Sequence, residues 1–160
     1  MEIKQMQLEV IELLAQHEEA ASEVYKTFAE RFPDKRQFWT VLQLEELDHA
    51  SWVRRLKPKI DEGYIYFNQE RFKTEAIQES LERLKGALSK AKQETLRLKD
   101  ALSIGMDIES SLIESNYYEV YDTDDYEFKQ LLTALADAFR EHRDRLKDAL
   151  GKARMWDDST

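Results

Sequence analysis

Apolar residues recur at intervals of three and four along most of the chain, and this spacing limits the possible folds more than any other feature. On a helix, residues with this spacing line one face. The 160 residues include only 4 glycines and 2 prolines, so the turns that a β-rich fold needs are scarce. Charged residues make up 36% of the chain and alternate in sign, as is typical of solvated helix faces. The sequence therefore predicts an all-α fold of long helices.

The spacing predicts four long helices. The first is expected at residues 3–32, and the second runs from a cap at Asp34 to the residue before Pro58. Because only a few residues separate these two helices, we expect them to be antiparallel neighbours. The third is expected at about residues 95–122, and the fourth follows a cap at Asp124.

Residues 58–92 form the longest connection between the expected helices. An apolar cluster at residues 64–67 suggests an extended segment, and a further amphipathic helix follows it. If this amphipathic helix continued without interruption into the third expected helix, the combined helix would be far longer than its partners. We therefore expect a bend or break between Ser89 and Thr95. This connection is interpreted as a crossover that lets the third helix run parallel to the second.

The second helix contains the stretch around which the chain is organised. Its apolar stripe consists of Trp39, Leu42, Val53 and Leu56. Continued across the gap in that stripe, the spacing places Glu46 and His49 on the core-facing side, one turn apart. A carboxylate and an imidazole are costly in a core unless a partner replaces their lost hydration. Glu46 and His49 are therefore the first candidate site residues.

Polar residues also interrupt the apolar stripes of the other three expected helices, at comparable positions along the bundle axis. They are Glu18 on the first helix, Glu109 on the third and His142 on the fourth. The neighbours His17 and Glu19 lie about 100° to either side of Glu18, so we expect them to flank the core. Carboxylates and imidazoles gathered in one core are costly without a cation, which favours a metal site.

Composition limits both the metal and the partners. The chain has no cysteine, which excludes disulfides, thiolate nucleophiles and iron–sulfur centres, so a metal would be held by carboxylate and imidazole, which suits iron or manganese. The net charge of -9 argues against a nucleic-acid partner. No apolar run reaches the length of a membrane span and no signal-peptide core is present, which predicts a cytoplasmic protein. One domain is expected over residues 1–154, with fraying at Gly151 and a flexible tail at 155–160.

The chain resembles the rubrerythrin branch of the ferritin-like family over essentially its whole length. The motifs are Glu18-x-x-Ala21-x-x-x-Tyr25, Glu46-x-x-His49, Glu109 and Leu135-Ala136-x-x-Phe139-x-x-His142. The resemblance implies a ferritin-like four-helix bundle whose long crossover contains a short extra helix. It also implies a two-metal site whose ligands here would be Glu18, Glu46, His49, Glu109 and His142. If the protein is an enzyme, the resemblance implies an iron-dependent oxidoreductase acting on peroxide or dioxygen.

The sequence departs from the family pattern at Phe139, where the family has a second bridging Glu. The family's rubredoxin-type domain is also absent, since this chain has no cysteine to build it. The site is therefore degenerate, and we expect it to hold at most one ion tightly, or none. In the alternative interpretation, Glu46 and His49 form an internal hydrogen-bonded pair in a metal-free bundle that acts as an interaction or structural module. The sequence does not assign a catalytic residue.

The chain has more aromatic side chains than one small helix bundle readily buries. They are Phe38, Trp52, Tyr64, Tyr66 and Phe67. Apolar patches of this kind tend to mark contacts between proteins, so we expect a homodimer.

Overall fold

The computed structural model describes residues 3–63, 74–93, 95–114 and 125–158. The prediction of an all-α fold is confirmed for these residues. The helices are α1 (Ile3–Arg31), α2 (Arg36–Arg54), α3 (Lys57–Asp61), α4 (Thr74–Ala91), α5 (Leu98–Glu114) and α6 (Tyr126–Asp158). A 3-10 turn at Pro33–Lys35 connects α1 to α2.

Helices α1 and α2 pack as an antiparallel pair, as their short connection predicts. Tyr25 stacks on Trp39 with ring centroids 5.7 Å apart. Seven residues earlier on α1, Glu18 lies 3.7 Å from His49, which is ten residues later on α2. Later residues of α1 therefore contact earlier residues of α2, so the two helices run in opposite directions.

Helix α6 is antiparallel to both α2 and α5. Its Arg145 bonds Glu45 of α2, while the earlier Phe139 meets the later His49. On α5, the backbone at Gly105 approaches Leu146, whereas the later Glu109 approaches the earlier His142. Helices α2 and α5 consequently run in the same direction, as the crossover interpretation requires.

Helix α4 lies within the crossover and packs against α1. It has 18 residues, nearly as many as α2, so the expectation of a short extra helix is wrong. The helix is long because its apolar face has its own partner surface, with Ile77 and Leu84 fully buried. The expected break is confirmed between Ala91 and Leu98, and the expected extended segment at 64–67 lies outside the described residues.

The apolar core has two parts, one on each side of the candidate site residues. The first cluster includes Ile11, Leu14, Val53, Leu135 and Phe139. The second includes Val24, Phe28, Trp39, Leu102 and Leu146. On α1, α2 and α6, a polar residue lies in sequence between the members of the two clusters. The polar residues therefore form a layer across the middle of the core.

The helix ends differ from their predictions in detail. Asp34 makes no capping bond, because residues 33–35 form the 3-10 turn and α2 begins after Lys35. Asp124 lies outside the described residues; the cap observed for α6 is Asp125, whose Oδ1 accepts a hydrogen bond from the Phe128 amide at 2.9 Å. Helix α6 continues through Gly151, where fraying was expected, and ends at Asp158.

Gly105 lets α5 and α6 approach each other closely. A Cβ built there would lie 2.9 Å from Cδ2 and 3.2 Å from Cδ1 of Leu146. The space that a side chain would need at Gly105 is therefore taken by the buried side chain of Leu146. Gly86 in α4 offers a contrast, since a Cβ there meets nothing within 4 Å.

We expect opposite effects when these two glycines are replaced by alanine. Gly86→Ala should raise the free energy of unfolding by about 0.5–1 kcal/mol, because alanine is the better helix former. Gly105→Ala should lower it, because Leu146 must leave its packed position. Urea denaturation of both variants measures the difference, and equal stabilisation by both would show that α5 and α6 are not closely packed at Gly105.

Candidate metal centre

The structure brings all five candidate ligands together in the polar layer. Glu18, Glu46, His49, Glu109 and His142 come from α1, α2, α5 and α6, and each is at most 4% exposed. They form two groups, Glu18–Glu46–His49 and Glu46–Glu109–His142. Within each group, one ligand atom per residue lies within 4.8 Å of the others. Glu46 belongs to both groups, so the second group has three members and not only the two expected from sequence.

In the first group, the imidazole of His49 faces two carboxyl groups. Its Nδ1 lies 3.4 Å from Oε2 of Glu46 and 3.7 Å from Oε2 of Glu18. The Glu46–His49 pair lies one turn apart on α2, which is the spacing that sequence predicts to share a face. The same nitrogen is therefore directed at a position between the two helices.

In the second group, Nδ1 of His142 lies 2.7 Å from Oε1 of Glu46 and 3.3 Å from Oε1 of Glu109. The buried hydroxyl of Tyr25 donates a hydrogen bond of 2.5 Å to the same Glu109 oxygen. Tyr25 therefore orients Glu109 in addition to filling the core.

Two residues that the sequence does not single out hold the ring of His142 on its Nε2 side. Its Nε2 lies 2.6 Å from Oε2 of Glu45, and Arg145 donates to the same carboxylate at 2.5 Å. A carboxylate behind an imidazole fixes the orientation of the ring and strengthens it as a metal ligand. Glu45 and Arg145 could not be identified earlier because both are ordinary charged residues on helices with many such residues.

His17 is buried, although sequence predicts that it flanks the core. It is 1% exposed, and its Nε2 lies 2.7 Å from Oγ of Ser80 on α4. Since α4 covers this side of α1, the expectation for His17 is wrong. Glu19 remains partly exposed and pairs with Arg54.

Burial and mutual repulsion keep two of the carboxyl groups protonated at neutral pH. Burial, followed by the charge of Glu46, raises the pKa of Glu109 to about 8 and the pKa of Glu18 well above 4.5. Burial also opposes ionisation of Glu46, but hydrogen bonds from Glu18, His142 and His49 hold its pKa well below the ordinary value. Glu46 is therefore the anion at the centre of the layer.

The pKa of His142 is raised to about 11. Burial alone would lower it, but hydrogen bonds to Glu109 and Glu46 outweigh that effect. In this protonation state the layer contains an imidazolium facing the Glu46 carboxylate, with protons on Glu18 and Glu109. A metal ion would replace those protons, because its ligands must be deprotonated.

The donor set fits a hard divalent cation. Glu18 Oε2 and Glu109 Oε2 are buried without a hydrogen-bond partner in the part of the chain that the structure describes, whereas Oε1 of Glu46 faces Nδ1 of His142 at 2.7 Å. Buried polar atoms in folded proteins are normally satisfied, so these two oxygens are free to take a further partner such as a cation. Carboxylate oxygen with imidazole nitrogen suits iron or manganese.

Phe139 lies in the same layer and is 2% exposed. Its ring meets that of His49 edge-on, with centroids 6.4 Å apart. Both groups have three ligands, but among the described contacts only His49 of the first group has the phenyl ring beside it. Glu141, two residues from Phe139, does not replace the missing Glu, because its side chain is 71% exposed and pairs with Arg145.

Comparison with models of protein families, with curated proteins and with solved structures finds no match to this chain. Among the described residues, no helix is both long and apolar enough to cross a membrane.

The protonation of the layer predicts how stability depends on pH in the metal-free protein. Glu109 and His142 have raised pKa values, so the stability they contribute is lost as the pH rises from 4.5 towards 8 and from 6.5 towards 11, respectively. His17 acts oppositely, but only as the pH falls from 6.5 towards 4, because burial lowers its pKa to about 4. Between pH 6.5 and 8 both groups hold more protons in the folded than in the unfolded protein, so we expect the free energy of unfolding to fall by about 3 kcal/mol.

Urea denaturation in the presence of a chelator at several pH values measures this dependence. Glu109→Gln should flatten it, since the amide does not titrate and no longer supports the charge of His142. Asp137→Asn, at an exposed position on α6 where the carboxylate pairs with Arg140, serves as the control and should leave the profile unchanged. A profile for the metal-free wild type that rises between pH 6.5 and 8 would contradict the assigned protonation.

Proposed function

We propose that this protein is a ferritin-like, rubrerythrin-like metal-binding protein with a degenerate two-metal site. One observation carries the proposal: two three-residue ligand groups share Glu46 in a buried layer between four helices. A shared carboxylate is the arrangement expected of a bridging ligand between two ions. Each of the other four residues would bind only one of the two ions.

The directions of the helices support a ferritin-like bundle. Helices α2 and α5 run parallel to each other and antiparallel to α6, with a long connection between α2 and α5. Ferritin-like bundles have one such crossover connection, and they place a Glu and a Glu-x-x-His motif from facing helices at the metal site. The pair Glu46 and His49 matches that motif, and His142 has Phe139 where the motif has Glu.

The chain's own residues would bind and orient an iron or manganese ion. Glu45 holds the ring of His142 through Nε2, which leaves Nδ1 for the ion, and Tyr25 orients Glu109. Bound iron would supply peroxide or dioxygen reduction, which would make the protein an oxidoreductase. Because Glu45 and Tyr25 hold His142 and Glu109, whereas His49 has the ring of Phe139 beside it, we assign the tighter position to Glu46, Glu109 and His142.

A metal-free helical module is the second candidate function. It is favoured by the protonation of the layer, in which the charge of His142 compensates that of Glu46 without an ion. Such a module would bind through its outer faces. Trp52 is 37% and Leu44 54% exposed on α2, which supports self-association as a homodimer, whereas Phe38 packs against Trp39. The dimer and the cytoplasmic location stay predictions.

Metal binding is tested by purifying the full chain without chelator and measuring iron and manganese by elemental analysis. We expect at most one tightly bound ion per chain, and we expect Mn²⁺ to raise the melting temperature of chelator-treated protein. An ion at roughly 100 times its Kd stabilises a protein by about 2.7 kcal/mol when only the folded state binds it. Glu46→Gln should abolish this effect, because Glu46 belongs to both ligand groups.

Asp137→Asn provides the control, since it removes one carboxylate from an exposed position on α6 and should keep the full response to Mn²⁺. A wild-type protein that contains no ion and does not respond to Mn²⁺ or Fe²⁺ would refute the metal proposal and favour the metal-free module. Two tightly bound ions in the wild type would contradict the role assigned to Phe139.

Replacing Phe139 by Glu should complete the ligand set. Without metal, Phe139→Glu is expected to lose about 3 kcal/mol or more of stability, because a buried ring is exchanged for a carboxyl group. Added Fe²⁺ or Mn²⁺ should recover stability and raise the number of bound ions by one. Melting temperature and metal content, with and without ion, measure both effects.

Leu135→Glu is the matched control, because Leu135 is buried one turn earlier on α6 but has no ligand group beside it. It should be destabilised similarly and should gain no additional ion. If Phe139→Glu binds no more metal than the wild type, position 139 does not correspond to a lost ligand.

A further inference from the structure

A cavity of about 520 Å³ lies between α4 and α5. It exists because α4 packs mainly against α1, whereas α5 packs mainly against α6, which leaves space between the two helices. Its volume is in the range of small-molecule sites, and none of the five candidate metal ligands lines it. We therefore consider it separately from the metal centre.

The two walls of this cavity carry opposite charges. Helix α4 contributes Arg83 and Lys90, and α5 contributes Asp107. Within the described part of the chain, none of these three residues forms an ion pair, whereas Lys85, on α4 outside the cavity, pairs with Glu82 at 3.0 Å. The cavity therefore separates the opposite charges of its walls, and each charge can bind a ligand.

The charged side chains lie at the mouth of the cavity and apolar side chains lie inside it. Arg83, Lys90 and Asp107 are exposed, whereas Leu84 is only 2% and Ile108 only 8% exposed. An apolar group that entered from the mouth would be removed from water against these inner side chains, which favours binding. The matching ligand therefore has its charges at one end and an apolar body at the other.

The charges at the mouth favour a ligand that carries both signs. A carboxylate would bind Arg83 and Lys90 through charge-assisted hydrogen bonds, and an ammonium group would bind Asp107 in the same way. A simple carboxylic acid would leave Asp107 without a partner, and a simple amine would face the two cations of α4. An α-amino acid has both charged groups on one carbon, with its side chain attached to the same carbon.

We propose that this cavity binds one α-amino acid with an apolar side chain. Arg83 and Lys90 bind its carboxylate, Asp107 binds its ammonium group, and the side chain enters between α4 and α5. This inference is independent of the metal centre, because none of the lining residues is one of the proposed metal ligands.

The probes are L-leucine and the larger L-phenylalanine, each titrated calorimetrically into the full chain. We expect at least one of them to bind saturably, with one molecule per chain. Two analogues of leucine separate its charges: 4-methylpentanoate lacks the ammonium group, and 3-methylbutylamine lacks the carboxylate. Glycine keeps both charges but lacks the apolar body. All three should bind more weakly than leucine.

Two variants test the charged mouth. Arg83→Met removes the cation but keeps an unbranched side chain, and Asp107→Asn removes the anion at nearly constant size. Each should weaken binding of the amino acid by about fivefold, the effect expected of an exposed charge pair. Lys85→Met on α4 and Asp137→Asn on α6 are the matched controls outside the cavity, and both should bind like the wild type.

A third variant tests the interior. Gly86 lines the cavity, and a Cβ there would meet nothing within 4 Å, so Gly86→Leu occupies open space without displacing a neighbour. It should fold as well as the wild type and bind the amino acid more weakly. Urea denaturation of the same sample confirms that the variant is folded.

The proposal is overturned if neither L-leucine nor L-phenylalanine binds saturably. Equal binding of 4-methylpentanoate or 3-methylbutylamine would also overturn it, because one charge would then suffice. Binding that survives Arg83→Met, Asp107→Asn and Gly86→Leu unchanged would place the ligand elsewhere and refute the assignment. Metal content measured in the same variants should equal that of the wild type, which separates a failure here from a failure of the metal proposal.

Discussion

In the middle of this molecule, Glu18, Glu46, Glu109, His49 and His142 lie in one layer that is closed to water. Removing an ionised group from water costs several kcal/mol unless protons, hydrogen bonds or a cation compensate it. Helices α1, α2 and α6 contribute apolar residues on both sides of the layer, and α5 contributes them on one side. The two apolar clusters therefore stabilise the fold, and their packing holds the layer in a place where only compensated groups are tolerable.

The compensation available to the layer differs between its two halves. At Nε2, His142 contacts Glu45, which Arg145 holds in turn. At Nδ1, His142 faces Glu46 and Glu109. His49 faces Glu46 and Glu18, but the ring of Phe139 occupies its other side. The two halves of the layer therefore differ, with a supporting carboxylate beside His142 and a phenyl ring beside His49. This asymmetry is the physical reason to assign a single ion to the half that contains His142.

The candidate site could be predicted from sequence to a large extent because its residues break a strong pattern. Glu46 and His49 occupy positions where the three-four spacing requires apolar residues, and the same is true of Glu18, Glu109 and His142. Glu45, Arg145 and His17 break no pattern. Glu45 and Arg145 look like solvated charges on their own helices, and His17 lies off the core-facing stripe of α1. Their roles arise only because α6 lies beside α2 and α4 covers α1.

The sequence by itself determined the helical class, the positions of most helices and the polar residues that face the core, because these follow from periodicity within single helices. Tertiary structure alone decided the length of α4, the burial of His17 and the partner of Gly105. Each of these depends on which surface another helix presents at that point, and spacing along one chain segment does not encode it. The sharing of Glu46 between two ligand groups is of the same kind, because it requires α2, α5 and α6 to meet at one depth.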